Sequence, residues 1–167
     1  MSAPRFSIRH ATRKDGPALV RLIIALADFE KLAGPDADAQ QRLIEDGFGA
    51  RPKFETLLAF WNGENDPVGY AIFLETYATF LARPGFSLED LFVLHSYRGR
   101  GVGSALLRHC IRLAHERGCG RMEWTCLDWN TKAQCMYERM GARRLSNWQI
   151  FRLERERIEQ LAAENVA

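Results

Sequence analysis

No part of the 167-residue chain is both uncharged and apolar over a length that crosses a bilayer, so a helical membrane span is not expected. The opening residues MSAPRFSIRH lack the apolar centre of a secretory signal, and the cytoplasm is the expected compartment. Charge of one sign is also scarce. Net charge is +2 with acids and bases interleaved; no basic block points to nucleic acid and no acidic tail points to disorder. The four cysteines, Cys110, Cys119, Cys126 and Cys135, form no Cys-x-x-Cys pair, and no histidine pair has zinc spacing. No metal is expected, and the thiols read as reduced and mostly buried. Repeats, linkers and low-complexity segments are missing. The chain therefore reads as one domain over 1–167, with a charged, helix-prone tail at 154–167.

What is present is a series of short strands and amphipathic segments. RFSIRHA alternates as a strand. In the segment that follows, Asp15 suits a helix cap and Pro17 a first turn. Leu19, Leu22, Ile23, Leu26 and Phe29 then recur at helical spacing, until Gly34-Pro35 stops the helix. DADAQQRLIEDG predicts a shorter helix ending at Gly47. FETLLAFW and VGYAIFLETY flank the turn residues NGEND as an antiparallel hairpin. ARPG breaks the chain, and FSLEDLFVL is a strand. Ser104 to Arg117 is a helix with Leu106, Leu107, Cys110, Ile111 and Leu113-Ala114 inward. RMEWTCLD is a strand. NTKAQCMYERMG is a helix capped by Asn130 and stopped by Gly141, and RRLSNWQIFRL closes the sheet as a last strand. The expected fold class is α/β: a mixed, mostly antiparallel central sheet with helices on both faces and one late parallel crossover.

The stretch YRGRGVGSALL, residues 97–107, joins a strand to a helix through three glycines. A helix leaves its first four amides without internal partners, and its dipole adds positive charge there. Glycines let a ligand approach the backbone, so the junction suits phosphate oxygens, with Arg98 and Arg100 at the rim. No Lys-Ser/Thr completes a P-loop, and the spacing does not fit Gly-x-Gly-x-x-Gly with a downstream ribose acid.

Residues 98–103 resemble the Arg/Gln-x-x-Gly-x-Gly/Ala signature of the GNAT superfamily of acyl-CoA N-acyltransferases. FSIRHAT, LIIALADFEKL, LIEDGFGARP, LEDLFVLHSYRGRGVGSALL and WNTKAQCMYERMGA are similar to its diamine (spermidine/spermine) and thialysine N-acetyltransferase branch. The resemblance implies a V-shaped splay between strands four and five that holds acetyl-CoA. Leu91, Phe92 and Val93 would pair with its pantetheine as an added strand does. Arg98, Gly99, Arg100, Gly101, Val102, Gly103 and Ser104 would hold the pyrophosphate. Asn130, Thr131, Lys132 and Ala133 would meet the cofactor from the next helix start. It also implies a homodimer, at which the apolar last strand and the tail hint.

The implied reaction is attack of a primary amine on the thioester. A lysine-like amine has a pKa near about 10.4, so its deprotonation at pH 7 costs about 4–5 kcal/mol. A proton acceptor is therefore needed, and by the resemblance it is Glu89. Read alone, Glu89 is equally a strand-end carboxylate in solvent. Strand alternation puts Glu89, Leu91 and Val93 on one face and Asp90 and Phe92 on the other. Tyr137 stands at the family's catalytic tyrosine, which protonates the leaving thiolate; read alone it is a packed aromatic on an amphipathic helix. An acyl-cysteine on Cys126 or Cys135 is the rival route to direct transfer in a ternary complex.

For the acceptor, the resemblance implicates Phe29 and Glu30, Glu89 and Asp90, Glu123, Trp124 and Thr125, and Trp148. The acids that precede the tryptophan in the polyamine enzymes are missing here. Arg83, Arg143 and Arg144 oppose a polycation, so an amine with its own carboxylate, of lysine or thialysine type, fits better. A peptide N-acetyltransferase and a non-catalytic acetyl-CoA-binding module are the alternatives. The long connection between the first two helices is expected to cover the site.

Overall fold

The structure is a computed structural model that describes residues 5–164. Residues 165–167 of the expected tail, and 1–4 of the opening stretch, lie outside the described residues. The chain divides after Cys126 into two compact units. The first contains β1 (Phe6–His10), α1 (Gly16–Glu30), α2 (Ala37–Phe48), β2 (Glu55–Trp61), β3 (Gly69–Ala78), β4 (Arg83–Val93), α3 (Val102–Glu116) and β5 (Arg121–Glu123). The second contains α4 (Thr131–Arg139) and α5 (Arg155–Ala163). Among the described residues no helix is long and apolar enough to cross a membrane.

In the first unit the sheet order is β1-β2-β3-β4-β5, antiparallel except for the parallel β4–β5 pair. Alternation along the strands gives the sheet two apolar faces. Leu58, Tyr70, Ile72 and Phe92 pack with Leu19 and Leu22 of α1. Leu57, Ala71 and Phe73, at the intervening positions, are buried too. On its own buried side α3 carries Val102, Leu106, Leu107 and Cys110, and it packs against β2, β3 and β4. Full burial of each such side chain stabilises by about 1.5–3 kcal/mol. Burial also pushes the Cys110 thiol up to about 12.

Asp15 precedes α1 as expected, but its carboxylate turns back. It accepts from the Thr12 backbone and hydroxyl and from both terminal nitrogens of Arg9. The Arg9 guanidinium holds that carboxyl well below the usual carboxylate range. α1 ends at Glu30, ahead of Gly34-Pro35, because Lys31 takes a left-handed cap at φ 59°. Gly47 lies inside α2 and does not end it. A Cβ there would stand 2.7 Å from the Phe54 ring, so the glycine is set by close packing.

Other boundaries shift for local reasons. ARPG does not break the chain: the turn is at residues 79–82, and Pro84 is the second residue of β4, where the ladder tolerates a missing amide. Ile111 of α3 is exposed rather than inward. β5 is only three residues long, and residues 142–154 form no strand, so RRLSNWQIFRL does not close the sheet. Its apolar side chains Leu145, Trp148, Ile150, Phe151 and Leu153 are exposed, and alternation alone supplies no partner edge. Of the four cysteines only Cys110 is buried; Cys119 and Cys126 are half-buried and Cys135 is exposed.

Candidate active site

A register shift on β4 organises the site. Ile72 pairs with Asp90, but Phe73 pairs with Leu88, which leaves Glu89 as an extra residue without a β3 partner. A bulge of this kind rotates the strand by one position. Glu89 and Asp90 therefore line the same cavity, and the expected alternation between them fails. That cavity measures about 390 Å³. Ile23 of α1 and Leu43 of α2 wall it on one side, with Phe54, Ile72 and Leu74.

Asp90 is the more enclosed of the two carboxylates. Burial raises it to about 6, opposed by the hydrogen bond that the Tyr70 hydroxyl donates at 3.1 Å and reinforced by the charges of Glu89 and Glu30. The same enclosure and the neighbouring carboxylate push the Tyr70 phenol far above its ordinary value. Tyr70 stays a donor, and the pair fixes where Asp90 sits.

A second cavity, of about 200 Å³, opens between β4 and β5. β5 pairs with β4 only from Gly85 to Ser87, and the strands then part. Ser87, Leu88, Glu89, Glu123, Trp124 and Thr125 line the gap. Glu89 is the residue common to both cavities. Beyond Ser87 the β5-facing edge of β4 has no strand partner among the described residues. The Leu94 amide bonds to Val68 on the β3 side, so by alternation Leu91 and Val93 present their backbone groups to the gap.

The open edge leads to the start of α3. Gly99 and Gly101 have φ of 72° and 88°, a left-handed geometry that glycine adopts freely. A Cβ at either would meet nothing within 4 Å, so the requirement is conformational rather than steric. The first bond of α3 runs from the Ala105 amide to the Gly101 carbonyl, so the amides of residues 101–104 have no partner within the helix. Arg98 does not extend to the rim. Its Nε donates to the Val93 carbonyl at 2.8 Å, and its guanidinium lies 4.1 Å from the Phe29 ring centre. Arg100 is exposed and lies over Trp61 and Tyr97.

The structure thus brings together Glu89, Asp90, Glu30 and Phe29 on the α1 side of the sheet, and Glu89 with Glu123, Trp124 and Thr125 in the gap. Glu123 is also ion-paired with Arg121 at 2.9 Å. Asn130, Thr131, Lys132, Ala133, Tyr137 and Trp148 belong to the second unit. There Asn130 caps α4 by accepting from the Ala133 amide at 3.4 Å. Tyr137 is half-buried on α4, Trp148 is exposed, and Arg144 donates to Gln134. Sequence reasoning missed Tyr70 as the partner of Asp90 and the apolar wall of the larger cavity. Ile23 was visible on the apolar stripe of α1; nothing in the sequence marks Leu43, Phe54 or the bulge.

The family model for the Acetyltransferase (GNAT) family matches residues 21–142. A thialysine N-epsilon-acetyltransferase of Bos taurus is 34% identical over 93% of this chain and 96% of its own. An integron cassette protein from the mobile metagenome of V. cholerae superposes with a TM-score of 0.79 at 23% identity, covering 96% of this chain and 99% of its own. An aminoglycoside N-acetyltransferase solved in complex with CoA gives 0.74 at 24% identity, over 92% and 97%.

Proposed function

Because the chain belongs to the GNAT acetyltransferase family and is an acetyltransferase, we propose that it moves the acetyl group of acetyl-CoA onto the primary amine of a small molecule of lysine or thialysine type. The observation that carries this is the gap beyond Ser87, where a β4 edge with no strand partner among the described residues leads to the first amides of α3, which have no partner within the helix, and Glu89 opens onto both cavities. Leu91 and Val93 hold the pantetheine by backbone hydrogen bonds, with Phe92 between them held to β3 through its pairing with Tyr70. Residues 99–104 hold the pyrophosphate through amides that need no side chain. Arg98 supports this edge by fixing the Val93 carbonyl, and Arg100 supplies charge. Asn130, Thr131, Lys132 and Ala133 complete the cofactor contacts.

Transfer is direct, in a ternary complex. The acceptor nitrogen bonds to the thioester carbon and the C–S bond breaks. Glu89 accepts the proton that the nitrogen loses, and Tyr137 gives one to the thiolate sulfur. Asp90, Glu30 and Phe29 hold the acceptor on one side of Glu89, with Glu123, Trp124 and Thr125 on the other; Trp148 is assigned to the acceptor as well. The protein acts as a single domain, needs no metal, works in the cytoplasm and forms a homodimer.

Tyr137→Phe should lower kcat by about 10²-fold or more while acetyl-CoA affinity, read by calorimetry, stays within about twofold. Unchanged turnover removes Tyr137 from the chemistry. Absence of any heat on titrating acetyl-CoA into folded protein removes the cofactor assignment.

A further inference from the structure

The larger cavity carries more information than its two acids. Its volume, about 390 Å³, is in the range of roughly 300–1,000 Å³ that small-molecule sites occupy. Both carboxylates that line it, Glu89 and Asp90, are adjacent on the β4 bulge, and the remaining wall is Ile23, Leu43, Phe54, Ile72 and Leu74. A ligand reaching the bulge therefore meets charge at one end and hydrocarbon along its body. A second cation lying along that hydrocarbon, past the carboxylates at the bulge, would lose part of its water without gaining an anion, which is costly. An uncharged stem would gain by burial.

We propose that this cavity takes the body of the acceptor and selects amines whose chain next to the reacting nitrogen is uncharged and apolar, so that a simple alkyl or arylalkyl monoamine is a sufficient substrate. The selection is made by Leu43, Phe54 and Ile23, which line the cavity and take no part in the bond-making. Phe54 is held in place by α2, whose Gly47 leaves room for the ring. Thialysine and lysine fit because several uncharged atoms separate their side-chain nitrogen from the α-ammonium and carboxylate. A 1,3-diamine, whose second ammonium falls three carbons from the first, and spermidine, whose next ammonium falls three or four carbons away, do not, because that charge lies against Leu43 and Phe54. The inference rests on the proposal above that the acceptor nitrogen meets Glu89.

The test compares kcat/KM, by thiol release from acetyl-CoA, for hexylamine, 2-phenylethylamine, thialysine, 1,3-diaminopropane and spermidine. The monoamines should exceed both 1,3-diaminopropane and spermidine by about tenfold or more, chiefly through KM. Leu43→Asp should narrow or reverse that ratio, whereas Leu43→Asn, polar but uncharged, should leave the order intact; far-ultraviolet circular dichroism shows that both variants fold. A wild-type preference for 1,3-diaminopropane or spermidine overturns this inference and leaves acetyl transfer standing. An unchanged ratio in folded Leu43→Asp overturns it as well. Turnover of none of the five, by protein that binds acetyl-CoA, overturns the acceptor assignment on which it rests.

Discussion

At the scale of single residues, Asp90 shows how a sheet can hold a carboxyl that resists ionisation. Its folded value near 6 lies above the ordinary 3.8, so the folded state binds the proton more tightly than the unfolded chain. The resulting stabilisation is fully present below about pH 4 and is lost as pH rises through about 6. Asp90→Asn keeps an oxygen for the Tyr70 hydroxyl and removes the buried charge. At pH 8 it should raise the unfolding free energy by about 1–3 kcal/mol relative to the parent, and at pH 3.5 the two should coincide. Paired urea titrations at both pH values check this; a gain of equal size at both would mean that the charge is not the cause. Glu89 and Asp90 were legible as candidates because acids are rare on an apolar strand. Their common orientation was not, since a bulge follows from the register of two strands and leaves no mark in either alone.

At the scale of elements, glycines mark junctions in some places and close packing in others. Gly101 caps α3 with positive φ, as the Gly-rich stretch implied. In sequence Gly47 reads as a stop signal, yet it is a packing position against a residue seven places further on. A glycine that ends a helix and one that admits a neighbour look alike in sequence, because the neighbour is tertiary. Gly47→Ala places a methyl group where the Phe54 ring lies. It should destabilise by about 1–3 kcal/mol and raise the acceptor KM more than it lowers kcat. Thermal unfolding and steady-state kinetics on one preparation test both halves, and an unaltered KM would separate α2 from the acceptor cavity. The short β5 has a similar explanation. RMEWTCLD has strand composition throughout, but only its first three residues find a partner before β4 diverges.

At the scale of the whole molecule, the element order and the sheet of the first unit were legible because hydrophobic period and turn residues agreed along most of the chain. The last segment was not. Residues 145–153 have strand-like apolar content, but Trp148, Ile150 and Phe151 are 72%, 73% and 89% exposed. Large apolar side chains left in water favour association. The proposed homodimer should therefore sediment at twice 19.1 kDa, and Ile150→Lys with Phe151→Lys should shift it toward the single-chain mass. A parent protein that stays at the single-chain mass at micromolar concentration would remove the dimer.

Cys110 sits in the centre of α3 with no surface exposed, and its proton is held far more firmly than in a free thiol. Alkylating reagents attack the thiolate, so this sulfur stays silent while the fold is closed and reacts once it opens. The molecule thus contains a built-in reporter: the rate at which Cys110 alone picks up a label, set against that of exposed Cys135, clocks how often its interior comes apart.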